Sequence, residues 1–228
     1  MIDFIDSKPV NFSFYNFRCR EHNRSHSNTL FPTSLEFYMK KIFALLVAAG
    51  ISMSAFAAPE SFTSDDNHTF SSFSYSHFGY SIQTSRFNNT TAKFTVDRAA
   101  KTGSVEATID TKSVDTGSKL FDGHIQGEDF LDTGKFPTIT YKSKSIVFKG
   151  DAPATVNGEL TLHGVTKPVV LTINKFKCIM SPMLKREVCG ADASATFNRA
   201  DFGIDYAVKM GFNPEVKLAI QVEAIKAD

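Results

Sequence analysis

The sequence predicts an all-β protein, an antiparallel β-barrel of about eight strands with one short helix. Three patterns support this prediction. Residues 160–171 describe a hairpin, because apolar and polar residues alternate up to Leu162, Gly164 permits a tight turn, and a β-branched run follows Pro168. Similar alternating runs recur along the chain, with short polar turns between them. The last run, residues 216–224, alternates strictly, as a strand with one buried face does.

The first quarter of the chain has the pattern of an export signal. Residues 39–57 contain a basic start, a short apolar run and an A-x-A site, which predicts a signal peptide cleaved after Ala57. The apolar run is too short for a membrane-spanning helix. Residues 1–38 have no periodicity, and two hypotheses stay open for them: translated sequence upstream of a true start at Met39, or a disordered extension. Residues 58–228 are then one exported domain with a substantial core.

Charge and cysteine content narrow the function classes. The chain has 25 Lys and Arg against 24 Asp and Glu, so it offers no basic surface for nucleic acid and no polybasic membrane patch. Cys178 and Cys189 are the two cysteines after residue 57, and in an oxidising compartment we expect them to form a disulfide. Such a loop contributes roughly 3 kcal/mol on the chain-entropy model. The alternative is a redox-active pair, although the spacing is not C-x-x-C.

The first half of the domain is predicted to contain four short strands and one helix. Phe73, Tyr75 and His77 share one face of a strand that Gly79 ends, and residues 81–87 form the next strand before an Asn-Asn turn. Two further strands follow, and their inward residues are Ala92, Phe94 and Val96 in one and Val105, Ala107 and Ile109 in the other. Between residues 118 and 130 the apolar spacing is helical, with Ser118 as the predicted N-cap.

Strands fill the second half. Pro137 begins a strand in which Ile139 and Tyr141 face inward, and Ile146 and Phe148 follow. Residues 156–162, 169–176, 191–197 and 216–224 are the remaining predicted strands, with a loop through Gly211 before the last. Counting eight to ten strands, closure into a barrel is the most economical arrangement, because it removes the exposed sheet edges.

Four motifs occur in order across the domain. They are D-x-x-H-T-x-x-x-F-S-Y-S-H-F-G at 65–79, D-G-H-I-Q-G-E-D-F-L-D-T-G-K-F-P-T-I-T-Y-K-S at 122–143, L-T-L-H-G-V-T-K-P-V at 160–169 and F-N-R-A-D-F-G-I at 197–204. Together they resemble the YceI-like family of exported, lipocalin-like barrels described as polyisoprenoid-binding. In one position the chain departs from the family, which usually has Arg where Phe121 precedes Asp122. A polar contact of that Arg cannot be carried over, and we expect Phe121 to extend the apolar lining.

The resemblance implies a periplasmic binding or carrier protein that holds a long apolar chain in the barrel. The ligand classes are a polyisoprenoid, an isoprenoid quinone or a fatty-acyl amphiphile, and no cofactor is required. A homodimer and a quinone-dependent membrane cytochrome stay open as protein partners. By face parity we predict these ligand-binding residues: Phe73, Tyr75, Phe94, Ile109, Ile139, Tyr141, Leu160, Leu162, Leu171, Leu218 and Ile220. His77 is added as a polar handle, with a satisfied core histidine as the alternative; His163 and Lys167 are placed outside or on the rim.

Other function classes lack their motifs. A metal site needs three or four converging ligands, and none is predicted. The sequence has no G-x-S-x-G, H-E-x-x-H or phosphate-binding loop, so no enzyme is predicted. Arg199 and Asp201 are expected to fix a loop by pairing with each other or with the backbone. An outer-membrane barrel, a lipid-linked enzyme and a ligand-free, stress-related periplasmic interaction protein are the alternatives; the chain lacks the Trp of aromatic girdles.

Overall fold

The computed structural model describes residues 58–228, and the predicted extension (1–38) and signal peptide (39–57) lie outside this range. The described residues form strands, one α-helix and three short 3-10 turns. The elements are β1 (Glu60–Ser64), β2 (Phe70–His77), β3 (Ser81–Phe87), β4 (Thr90–Asp97), β5 (Thr102–Asp110), β6 (Val114–Asp115), α1 (Lys119–Gln126), β7 (Thr138–Lys149), β8 (Ala152–Leu162), β9 (Val165–Met180), β10 (Glu187–Asn198) and β11 (Glu215–Lys226). The 3-10 turns are Thr111–Ser113, Arg199–Phe202 and Val208–Met210.

The sheet closes into an antiparallel barrel of eight strands. Its ring runs β1-β4-β5-β7-β8-β9-β10-β11 and returns to β1, because β1 pairs with both β4 and β11. Strand β11 pairs with β1 near its end and with β2 over residues 217–221. Strands β2, β3 and β6 therefore continue the wall beyond the short β1. The predicted all-β barrel with one short helix is confirmed.

Alternation explains why these segments form a barrel wall. In β11 the odd-numbered residues, such as Lys217 and Glu223, are exposed, while the even-numbered Val216 and Ala224 are buried. Strand β8 shows the same period, with alternate residues buried toward Leu162. Register shifts occur between Ser143 and Ser145 of β7 and again in the pairing of β9 with β10. Such irregularities let long strands bend, which a small closed barrel requires.

The predicted hairpin at residues 160–171 is present, with one correction. Strand β9 begins at Val165 rather than at Pro168, since a two-residue turn of His163 and Gly164 joins it to β8. Both turn residues have positive φ, 51° and 76°, as the tight hairpin turn that matches strand twist requires. A Cβ on Gly164 would lie 2.5 Å from the Phe136 ring, so glycine is also needed for space.

Other boundaries differ from the predictions. The helix ends at Gln126 instead of near Phe130, because Gly127 adopts an extended conformation, and Ser118 makes no side-chain capping bond. Strand β1 was not predicted; its five residues are too few to show a pattern. Strand β7 joins the two short apolar pairs around Tyr141 and Phe148 into one element. Within residues 58–228, no helix is both long and apolar enough to cross a membrane.

The predicted disulfide links β9 and β10. Cys178 and Cys189 are direct cross-strand partners with Cα atoms 4.0 Å apart. Around them pack Phe62, Val96 and Ala224, which are almost fully buried. On the surface beside them, Arg98 forms ion pairs with Glu60 at 3.2 Å and Glu187 at 2.8 Å. This end of the barrel is therefore packed with apolar side chains, and the disulfide cross-links two neighbouring strands of its wall.

Candidate functional site

The inside of the barrel contains a cavity of about 250 Å³ with almost entirely apolar walls. Inward-facing residues of the wall, such as Phe73 of β2 and Ile220 of the neighbouring β11, are only partly buried. A barrel filled by its own side chains would bury such residues completely, as close-packed cores do. Space therefore remains between the walls. The volume is slightly below the lower end of typical ligand pockets, roughly 300 Å³.

Face parity placed the predicted residues well. With the exception of His77, all residues predicted to bind ligand line this cavity: Phe73, Tyr75, Phe94, Ile109, Ile139, Tyr141, Leu160, Leu162, Leu171, Leu218 and Ile220. They come from six strands of the ring and from β2, so no single strand defines the site. Contact of these side chains with a ligand stays a prediction.

The prediction that His77 lies inside the cavity needs correction. His77 is the last residue of β2, three residues beyond Ser74, where the pairing of β2 with β11 ends. Its ring packs edge-on against the Phe78 and Phe212 rings, at centroid distances of 5.2 Å and 5.7 Å. These residues line a second, smaller pocket rather than the main cavity. His163 and Lys167 were predicted to lie outside the cavity or on its rim. His163 occupies the β8–β9 turn and Lys167 is exposed.

The second pocket adjoins the cavity, and we interpret it as the entrance. The two spaces share Tyr75, Ile125, Phe130 and Phe212 in their walls. The entrance is bordered by the β2–β3 turn, by α1 and by the loop between β10 and β11. Exposed side chains belong to each side of it, including Phe78, Tyr206 and Met210. We call this pocket the entrance from here on.

Helix α1 forms one side of the entrance. Ile125 is buried toward the cavity, and Phe121 faces the entrance, where its ring lies 5.7 Å from His124. The position at which the family usually has Arg therefore adds an aromatic wall to the entrance, outside the main cavity. Asp122 anchors the helix, since it accepts hydrogen bonds from the Thr116 N–H and hydroxyl, both at 2.8 Å. These hydrogen bonds lower the pKa of Asp122.

Arg199 is the charged residue of the cavity wall. It is 7% exposed, and it donates hydrogen bonds to the carbonyl oxygens of Ile204 at 2.6 Å and Tyr206 at 2.8 Å. Its guanidinium carbon lies 5.2 Å from the Phe212 ring centroid and 5.8 Å from that of Phe130. Arg199 thus holds the loop through the backbone, one of the two predicted modes, while Asp201 is exposed. Burial lowers the pKa of Arg199.

Two tyrosines of the wall have contrasting hydroxyl groups. Tyr141 Oη lies 3.0 Å from the carbonyl oxygens of both Val156 and Val169, and burial raises the pKa of Tyr141 to about 12. Tyr75 Oη is also inaccessible to solvent, yet it has no hydrogen-bond partner among the described residues. Burial raises the pKa of Tyr75 as well, against an opposing effect of Arg199. Its ring lies 5.9 Å from that of Phe212.

Sequence reasoning missed Arg199, Phe130 and Phe212 as parts of the wall. Arg199 was noticed only as a loop-fixing residue within the last of the four motifs. Phe130 and Phe212 lie outside the strands, so alternation could not assign them a face. The available signal was limited to their size and apolarity, which is also the signal of an ordinary core residue.

Cys178, Glu187 and Cys189 form the one group within residues 58–228 whose ligand atoms converge as a metal site requires. Both sulfur atoms of this group are bonded to each other as a disulfide. In that state they have no thiolate to offer a metal ion.

Comparisons with known proteins agree with the architecture. The profile of the YceI-like domain matches residues 62–224. A UPF0312 protein of Shewanella sp. strain W3-18-1 is 35% identical over 193 residues, which cover 82% of this chain and 98% of the relative.

Solved structures show the same fold at low identity. BcnA of Burkholderia cenocepacia superposes with a TM-score of 0.58 at 22% identity, over 70% of this chain and 98% of BcnA. A polyisoprenoid binding domain from Saccharophagus degradans, implicated in plant cell wall breakdown, superposes with a TM-score of 0.54 at 16% identity, over 73% of this chain and 98% of that domain.

Proposed function

Because the chain belongs to the YceI-like family, we propose that it is a periplasmic binding or carrier protein for a long apolar ligand held in the barrel cavity. The proposed ligand classes are a polyisoprenoid, an isoprenoid quinone or a fatty-acyl amphiphile. The observation that supports this function most directly is the unfilled, apolar cavity that continues into an entrance between α1 and the β10–β11 loop.

The physical driving force is the removal of apolar ligand surface from water. Each methylene group that enters such a cavity contributes about 0.8 kcal/mol. The strands of the barrel pair around the whole ring, so their backbone N–H and C=O groups are hydrogen-bonded and the apolar interior is not lined by an unpaired sheet edge. A long apolar chain is therefore a better occupant than a compact polar molecule.

The compartment and ligand class are supported by separate observations. The signal-peptide pattern of residues 39–57 and the Cys178–Cys189 disulfide both favour an oxidising, exported environment. The Saccharophagus degradans neighbour is named as a polyisoprenoid binding domain, which favours an isoprenoid-like chain. Dimerisation and delivery to a quinone-dependent membrane cytochrome are extensions of this proposal.

Binding without catalysis is the proposed mode of action. The alternative is a ligand-free, stress-related interaction protein, which has no need for space inside the barrel. The cavity favours the carrier, since unfilled apolar space in a protein interior lowers stability unless a ligand occupies it.

The uncharged apolar fluorophore N-phenyl-1-naphthylamine tests the proposal. Its emission should rise on binding to protein that has been stripped of lipid, because the probe moves into an apolar site. Ala107 lines the cavity, whereas the next residue, Thr108, is exposed on the same strand. We expect Ala107→Phe to fill the cavity and weaken probe binding at least tenfold, with Thr108→Phe as the matched control. Equal binding by Ala107→Phe and wild type, or no binding by wild type, would contradict the proposal.

A further inference from the structure

Two polar side chains of the cavity wall, Tyr75 and Arg199, lie beside the entrance, and the smaller hydroxyl residues Thr69, Ser71, Thr90 and Thr95 also line the cavity. Tyr75 lines both spaces, and Arg199 lines the cavity beside the Phe130 and Phe212 rings that also border the entrance. The opposite end is packed by apolar residues around the disulfide. A ligand with one polar end would therefore place its chain toward the disulfide and its head near Tyr75 and Arg199.

The Tyr75 hydroxyl is available for a ligand. Its oxygen is buried without a hydrogen-bond partner among residues 58–228, unlike that of Tyr141, which has two backbone acceptors. A buried hydroxyl without a partner is unfavourable, and such groups are uncommon in folded proteins. Because burial raises the pKa of Tyr75, the group keeps its proton at neutral pH and can donate a hydrogen bond.

The positive charge of Arg199 would discriminate between head groups of different charge. Its hydrogen bonds go to backbone carbonyl oxygens rather than to a carboxylate, so its positive charge is not neutralised by an ion pair with those partners. Asp205 acts on it only through a longer-range electrostatic attraction. A positive charge that is 7% exposed repels a nearby ammonium group and attracts an oxygen atom with partial or full negative charge.

We infer that Tyr75 and Arg199 form the recognition site for the ligand's head group, and that this head group carries an oxygen hydrogen-bond acceptor and no positive charge. The inference rests on the proposed carrier function and specifies its ligand. A neutral carbonyl and an anionic carboxylate share this chemistry, and both differ from a trimethylammonium group.

Compounds that share a dodecyl or dodecanoyl chain and differ in their heads test this inference. Methyl laurate, laurate and dodecyltrimethylammonium, each below its solubility limit or micelle concentration, compete with N-phenyl-1-naphthylamine for the lipid-free protein. We expect methyl laurate or laurate, or both, to bind at least tenfold more tightly than dodecyltrimethylammonium. The order of the first two tells whether the acceptor is best neutral or anionic.

Tyr75→Phe is the matched variant, since it removes the hydroxyl and keeps the ring. It should weaken the preferred oxygen-bearing compound roughly three- to tenfold, the usual range for one hydrogen bond, and leave the fluorophore and dodecyltrimethylammonium unchanged. Tyr80→Phe, which removes a hydroxyl from an 86% exposed tyrosine in the β2–β3 turn, is the control. Arg199 is left intact because it also holds the loop.

The outcomes separate this inference from the function on which it rests. If the fluorophore does not bind wild-type protein, the carrier function fails. If the fluorophore binds but the three compounds compete equally, or if Tyr75→Phe weakens all of them alike, the cavity binds ligands and the head-group site is wrong.

Discussion

Removing the hydroxyl groups of Tyr75 and Tyr141 in turn should affect stability in opposite ways. Tyr141 Oη contacts two backbone carbonyl oxygens at 3.0 Å, so Tyr141→Phe leaves buried acceptors without this donor. The expected loss in the free energy of unfolding is about 1 to 3 kcal/mol. Tyr75 Oη has no such partner among the described residues, so Tyr75→Phe should leave the free energy unchanged or raise it by up to about 1 kcal/mol.

Urea unfolding of lipid-free protein, followed by far-ultraviolet circular dichroism, measures both changes. The slope of the transition should be the same in all variants, because none alters the surface exposed on unfolding. Tyr80→Phe serves as the control and should stay within about 0.5 kcal/mol of wild type. If Tyr75→Phe destabilises the protein as much as Tyr141→Phe does, the Tyr75 hydroxyl is already satisfied, and the reasoning that it awaits a ligand is refuted.

Three further predictions concern other parts of the barrel. Replacing both Cys178 and Cys189 by Ser should lower the free energy of unfolding by about 3 kcal/mol, given a sequence separation of 11 residues; urea unfolding measures this, and equal stability would contradict it. The hydrogen bond between His68 and Asp65 raises the pKa of His68 above 6.5 and lowers that of Asp65 below 3.8. The contribution of this pair to the free energy of unfolding is therefore complete between these two pH values. That contribution is lost as pH rises through the raised pKa or falls through the lowered one; an NMR titration in which Asp65→Asn does not shift the His68 midpoint downward would disprove it. Asp122→Ala should speed amide exchange in α1 by removing the bonds to Thr116, whereas the exposed Asp129→Ala should not; equal exchange in both variants would show that the Thr116 contacts do not hold the helix.

The barrel wall could be predicted because alternation is a direct consequence of strand geometry. Where a strand has one face inside the barrel, every second residue is apolar, and this is enough to place Leu160, Ile139 or Leu218 in the cavity. The hairpin at residues 160–171 was predictable for the same reason. Its start was misplaced because Pro168 was treated as a strand boundary, although β9 tolerates a proline in the pairing with Glu159.

The entrance could not be predicted in this way. Phe130, Arg199 and Phe212 lie outside the strands, and their positions depend on contacts between distant segments such as the hydrogen bonds of Arg199. His77 was placed in the cavity because it shares the parity of Phe73 and Tyr75. Parity gives the direction of a side chain but not the point at which β2 stops pairing with β11, and His77 is beyond that point.

The central claim is that the barrel encloses an apolar ligand. Native mass spectrometry of protein purified from its host, followed by solvent extraction and identification of any released molecule, tests this claim most directly. We predict one apolar chain with an oxygen-bearing head per barrel, which is absent from Ala107→Phe protein purified in the same way. If wild-type protein releases no apolar molecule and does not bind added isoprenoid quinone, the claim is contradicted.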